Sequence, residues 1–185
     1  MPEYLTADLD LVIRRLINPA YPTSTRSFTD ITLVVERHAV AFRALVLEMC
    51  QPHRAEPPDV LVIIESCGYL FGAPMAFDLG RPLALARRAG KLPRATLRRE
   101  YQSSGLAADS ARSMEMHLDA IAPGSRVLIV DDVLATGGTA LAAVELVEQA
   151  GGIPIGISVA FELERFQARE RLAERGIRVY AAMRL

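Results

Sequence analysis

Two aspartates, Asp131 and Asp132, end the apolar run of residues 127–130, and five small residues, Ala135, Thr136, Gly137, Gly138 and Thr139, follow almost at once. Ionised carboxylates accept hydrogen bonds from hydroxyl groups. A glycine turn that opens a helix offers backbone N–H groups and the positive end of the helix dipole to an anion. One ligand satisfies both halves: a ribose whose hydroxyls meet the aspartates while its 5'-phosphate lies in the turn. Competing chemistries lack their spacing. The chain has no GxxxxGK[ST] loop, no GxGxxG after a strand and no GxSxG elbow. His38, His53 and His117 form no metal-ligand spacing with Cys50 or Cys67. A metal would therefore be Mg²⁺ held mainly through substrate oxygens, with no direct protein ligand.

These residues need a scaffold, and 185 residues allow one domain with a substantial core, not two of ordinary size. The run VLVIIE, residues 60–65, suggests a buried parallel strand. Residues 82–87, 126–132, 153–161 and 177–183 repeat the pattern, with helical stretches at 70–79, 139–150 and 164–175 between them. Strand and helix alternate from Val60 onward, so the expected fold is α/β, a doubly wound parallel sheet. In such a sheet ligands bind outside the carboxyl ends of the strands, where Asp131 and Asp132 fall.

Before the sheet, residues 5–17 and 35–49 have helical periodicity, separated by the Pro-, Ser- and Thr-rich stretch around Tyr21 and Phe28. Residues 1–34 are expected to form a small N-terminal hood on the single domain 1–185. The connection between the second and third strands is too long for a simple crossover, and residues 94–113 are expected to be a flexible lid loop.

Composition narrows the function further. Lys plus Arg number 21 and Asp plus Glu 22, a net charge of −1, which leaves no electrostatic footprint for nucleic acid or an acidic membrane surface. No apolar run approaches a membrane span, and the first residues lack the basic and apolar regions of a signal peptide, so a cytoplasmic protein with reduced cysteines is expected.

The stretch VLIVDDVLATGGT resembles the phosphoribosyl-diphosphate (PRPP) signature of the type I phosphoribosyltransferases. The flanking segments PAYPTSTRSFTDIT, ESCGYLFGAP, RRAGKLP, MEMHLDAI and FELERFQARERL are similar, in family order, to the adenine phosphoribosyltransferases among them. The resemblance implies transfer of 5-phosphoribosyl from PRPP to a nitrogenous base, adenine by default, with Mg²⁺ and release of pyrophosphate. It implies that Asp131 and Asp132 bind the ribose hydroxyls and that residues 135–139 hold the 5'-phosphate. Ser66, Cys67, Gly68 and Tyr69 would lie against the pyrophosphate, with Arg87 and Lys91 supplying positive charge. Phe28 would stack on the base under the hood. Family members are commonly homodimers.

Departures from the family pattern fall at the lid and the pyrophosphate loop. Cys67 stands where the family usually carries an arginine, and Phe28-Thr29-Asp30 replaces Phe-Arg-Asp, with Arg26 a possible compensation. Ala108-Asp109-Ser110 occupies the place of Glu-Tyr-Gly, whose glutamate assists proton movement at the base. Asp109 or Glu100 is the candidate replacement. Arg98 and Arg99 are expected only to keep the lid soluble, and Ala168 stands where glycine is common. These changes leave two other readings open: a phosphoribosyltransferase for a modified purine or another heterocycle, and a non-catalytic PRPP or nucleotide sensor.

Overall fold

The computed structural model describes Tyr4 and residues 6–17, 31–102 and 111–185. α1 (Ala7–Ile17) has Asp8 and Asp10 in its first turn and Arg14 and Arg15 in its last, the arrangement the helix dipole favours. It buries Ile13 and Ile17. The single helix expected over 35–49 is two: α2 (Thr32–Arg37) and α3 (Ala39–Cys50). His38 leaves helical geometry between them, and its ring Nδ1 accepts the Ala41 N–H at 3.2 Å, capping α3. Apolar periodicity runs through the break, so the sequence pattern does not mark it.

The core then follows as β1 (Val60–Ile64), α4 (Gly68–Leu79), β2 (Leu83–Arg88), β3 (Thr96–Gln102), β4 (Ala111–His117), β5 (Arg126–Leu134), α5 (Gly138–Gln149), β6 (Ile153–Glu162), a 3-10 turn (Glu164–Phe166), α6 (Ala168–Glu174) and β7 (Val179–Arg184). The expected helix over 164–175 is interrupted at Gln167, whose φ of 51° breaks it into the 3-10 turn and α6. The seven strands form one sheet in the order β3-β4-β2-β1-β5-β6-β7. From β2 to β7 neighbouring strands run parallel.

Every residue of β1 is buried, and successive side chains enter opposite layers. Val60, Val62 and Ile64 meet Ala143, Val144 and Val147 of α5, whereas Leu61 and Ile63 meet Leu45 of α3 and Phe71 and Met75 of α4. Truncating one such side chain to alanine costs about 2–5 kcal/mol. Gly72 lets α4 approach closely: a Cβ there would lie 2.6 Å from Ile63 Cγ2. The N-terminal helices add Ile13, Ile17, Ile31 and Val34 to the same layer as α4.

Within the expected lid segment 94–113, β3 and the first residues of β4 are strands. They pair antiparallel, and β4 adds to β2 with Arg87 opposite Glu115. Leu97, Tyr101, Met114 and Met116 pack on the α5 layer. Arg98 and Arg99 do more than solubilise: Arg98 pairs with Glu115 at 3.2 Å and Arg99 with Glu145 of α5 at 2.5 Å, anchoring the hairpin. Among the described residues no helix is long and apolar enough to cross a membrane.

β1 and β5 lie side by side at the centre. The path from β1 leads through α4 to β2 on one side, and that from β5 through α5 to β6 on the other. Their connections diverge, leaving a crevice at the carboxyl ends.

Candidate active site

Pairing of β1 with β5 stops at Val130, while β5 continues beside β6 to Leu134. Asp131 and Asp132 are thus inside a strand, not at its end, yet they fall at the carboxyl end of β1, Asp131 level with Ile64 and Asp132 beyond it. The Asp132 N–H donates to Asp131 Oδ1 at 2.9 Å. Burial and the neighbouring Asp132 carboxylate push the Asp131 carboxyl well above its usual range. A Cβ on Gly68 would sit 3.0 Å from Asp131 Oδ1, so a larger residue at the start of α4 would press on this strand.

Past β5 the chain turns through Ala135 and Thr136 to Gly137, the residue before α5, whose φ of 83° is left-handed. The first N–H groups of α5 have no partner within the helix and face the crevice end. Behind the turn, a Cβ on Gly137 would meet Ala168 Cβ at 3.2 Å. Arg171 of α6 donates Nη2 hydrogen bonds to Thr136 O and, at 2.9 Å, to Phe166 O. Neither support was read from the sequence, because both cross from a separate helix.

Opposite this turn, the cis Glu65–Ser66 peptide leads through Ser66 and Cys67 into Gly68 and Tyr69 at the start of α4. Glu65 draws the expected cations together: it accepts Arg87 Nη2 at 3.2 Å, Lys91 Nζ at 3.1 Å and the Arg88 N–H at 2.9 Å. Burial alone would raise its carboxyl, but the Arg88 N–H, Arg87 and Lys91 together bring it down to about 2. Burial, then the Glu65 charge, pushes the Tyr69 hydroxyl up. The Arg87 guanidinium also lies beside the buried Tyr69 hydroxyl and works against that rise.

Glu115 of β4 shapes the same side and was missed, although the alternation Met114-Glu115-Met116 is a strand signal. Only 1% of its side chain is exposed. It accepts the N–H groups of Lys91 and Leu92 at 2.8 and 2.9 Å, and contacts Thr96 and Arg98. Burial raises its carboxyl, but the Gly90, Leu92 and Lys91 N–H groups and Arg98 lower it to about 2.

Glu100 is exposed on β3, opposite Ser113 and four strand positions from β5 in the sheet order. Arg26, Phe28 and Asp109 lie outside the described residues. No group of three or more His, Cys, Asp or Glu able to hold a metal occurs among the described residues. The hard oxygens of Asp131 and Asp132 are donors of the type Mg²⁺ takes. A cavity of about 350 Å³ lies elsewhere, between the end of α3 and β7, lined by Glu48, Pro52, Arg169, Tyr180 and Arg184 among others.

A strand-borne pair of carboxylates, a glycine turn opening a helix and a basic loop thus gather at one switch-point crevice. Residues 45–175 match the phosphoribosyl transferase domain, and the chain belongs to that family. Within it, the chain is 40% identical over 181 residues to an adenine phosphoribosyltransferase of Thermobifida fusca (strain YX), covering 97% of this chain and all of the relative. The crystal structure of adenine phosphoribosyltransferase from Rhodothermus marinus DSM 4252 superposes with a TM-score of 0.84 at 36% identity, covering 97% of this chain and 100% of that one. The enzyme from Giardia lamblia, complexed with 9-deazaadenine, superposes at 0.81 with 33% identity over 90% and 91% of the two chains.

Proposed function

We propose that this phosphoribosyltransferase joins adenine to PRPP, giving AMP and pyrophosphate, a purine-salvage reaction. The observation that carries the reading is the juxtaposition of Asp131 and Asp132 with the left-handed turn at Gly137, across one crevice from the Glu65 loop. Full-length similarity to adenine phosphoribosyltransferases supports adenine as the base.

In this reading the aspartates accept hydrogen bonds from the two ribose hydroxyls. The N–H groups of residues 135–139 hold the 5'-phosphate. Ser66, Cys67, Gly68, Tyr69, Arg87 and Lys91 face the diphosphate, and Phe28 and Arg26 the base. A base nitrogen forms its bond to C1 as the C1–oxygen bond breaks; pyrophosphate leaves with that electron pair, and the base nitrogen gives up its proton. Glu100 and Asp109, on the hairpin and the residues joining its strands, are the candidates to manage that proton, with segment 94–113 as the lid. The enzyme's share is positioning and stabilisation of charge. Mg²⁺, brought with PRPP, would offset the charge of the diphosphate.

We place the protein in the cytoplasm, as a homodimer. The outer face of α4 supports the second point: Leu70, Ala73 and Phe77 share it at helical spacing, and Phe77 is 90% exposed.

Pairing of both loop cations with Glu65, together with Cys67 in place of an arginine, favours as second reading a changed base or lost turnover. One assay separates these: purified protein with PRPP, Mg²⁺ and a panel of purines, pyrimidines and related heterocycles, each product identified by mass. AMP at ordinary enzymatic rates is the expected result. Another nucleotide would replace adenine as the base, and PRPP binding without any product would overturn catalysis in favour of a sensor.

A further inference from the structure

We infer that Arg171 is a positioning residue that sets the orientation of the Thr136–Gly137 peptide, and through it the phosphate-binding competence of the turn. The inference rests on the proposal that residues 135–139 hold the 5'-phosphate. This peptide is trans, so its C=O and N–H point in opposite directions. Arg171 draws the Thr136 carbonyl toward α6, which directs the Gly137 N–H away from α6 and into the crevice. Were the peptide turned over, the carbonyl oxygen would face the phosphate and repel it.

Gly137 itself does not make that choice. A half-turn of the peptide carries φ of Gly137 from 83° to roughly −97°, and glycine accepts both. Freedom at this position is what the left-handed turn requires, and it is also what leaves the peptide free to flip. Arg171 supplies a restraint from outside the turn, and its second bond, to Phe166 O at 2.9 Å, fixes the guanidinium against the 3-10 turn. Ala168 Cβ closes the back of the turn three residues earlier on the same short helix.

Arg171 also differs from the cations of the opposite loop. Arg87 and Lys91 share Glu65, whereas Arg171 makes no ion pair among the described residues. Its donors are spent on carbonyl oxygens, so orientation of a peptide dipole is the work its position suits.

The test compares the unaltered protein with Arg171→Met, Arg171→Gln and, as a control for lost surface charge, Arg178→Met. Affinity for ribose 5-phosphate and for inorganic pyrophosphate is measured by calorimetry, and KM for PRPP with kcat under Mg²⁺. Arg171→Met is expected to weaken ribose 5-phosphate binding and raise KM for PRPP at least fivefold, with pyrophosphate affinity and kcat nearly unchanged. Arg171→Gln, which keeps an N–H donor without the charge, should recover most of the loss, and Arg178→Met should match the unaltered protein. Equal ribose 5-phosphate affinity in Arg171→Met, or a parallel fall in pyrophosphate affinity with a lower melting temperature, would overturn the inference. If Arg171→Met does not fold, Arg171→Ala takes its place: weakened ribose 5-phosphate binding by that protein supports the inference, and binding equal to that of Arg178→Met overturns it. Failure of the unaltered protein to bind ribose 5-phosphate would instead strike the reading of the turn itself, a result distinct from equal binding by both proteins.

Discussion

The two sides of the crevice prepare for negative charge in opposite ways. On the β5–α5 side the donors are backbone groups whose directions are set by a strand, a left-handed glycine and a helix start. On the β1–β2 side they are long side chains, Arg87 and Lys91, already held by a buried carboxylate. A phosphate entering the turn meets backbone donors, whereas a diphosphate must take its cations from Glu65. Backbone sites are preorganised at little cost, and side-chain sites exchange one anion for another.

The largest effect that would sharpen this contrast comes from removing the sugar's acceptors. Asp131→Asn with Asp132→Asn should lower kcat/KM for PRPP at least a hundredfold, since hydrogen bonds to charged groups are worth about 1.5–3 kcal/mol each. Steady-state kinetics decide it, and a loss of less than tenfold would remove the pair from the site. Next, Gly137→Ala imposes a left-handed alanine, a strain of about 1–2 kcal/mol, and pushes on Ala168. Ribose 5-phosphate affinity should fall roughly tenfold while pyrophosphate affinity holds. A uniform loss would mean that the two sides are not independent.

Glu65→Gln probes the other side. Freed of their competitor, Arg87 and Lys91 should bind inorganic pyrophosphate severalfold more tightly by calorimetry. Weaker binding would show Glu65 to be the scaffold of the cations and break the contrast. Smallest at neutral pH, and visible only in acid, is the linkage of the two glutamates. Glu65 and Glu115 both lie near 2 in the fold against an ordinary 4.5, so their stabilisation is complete above about pH 4.5 and lost as pH falls toward 2. His53 acts in a higher window. Burial holds its ring down to about 4, so the folded protein loses stability as pH falls from 6.5 toward 4. Melting curves across these ranges should show a shallower acid limb for Glu115→Gln below pH 4.5 and for His53→Phe above it.

The β5–turn–α5 side was legible in the sequence because its geometry is local: an apolar run, two acids and a glycine turn are contiguous. The alternation of strands and helices was legible for the same reason. What was not legible depends on partners distant in sequence. Arg98 and Arg99 look like solvated charge until β3 pairs with β4 and packs on α5, bringing Glu115 and Glu145 within reach. Arg87 and Lys91 were legible as cations, but their capture by Glu65 required β1 and β2 to lie side by side. His38 hid a helix break because a capping side chain leaves the apolar period intact.

The closeness of α4 to the sheet has one more consequence. Gly72 lies on Ile63 with no room for a methyl group, and Gly68 packs tightly on Asp131. The helix cannot slide along the strands without collision, so the loop that begins it and the turn that ends β5 keep a constant separation. Under the proposed reading the crevice works as a calliper: it gauges how many carbons stand between a phosphate and a diphosphate.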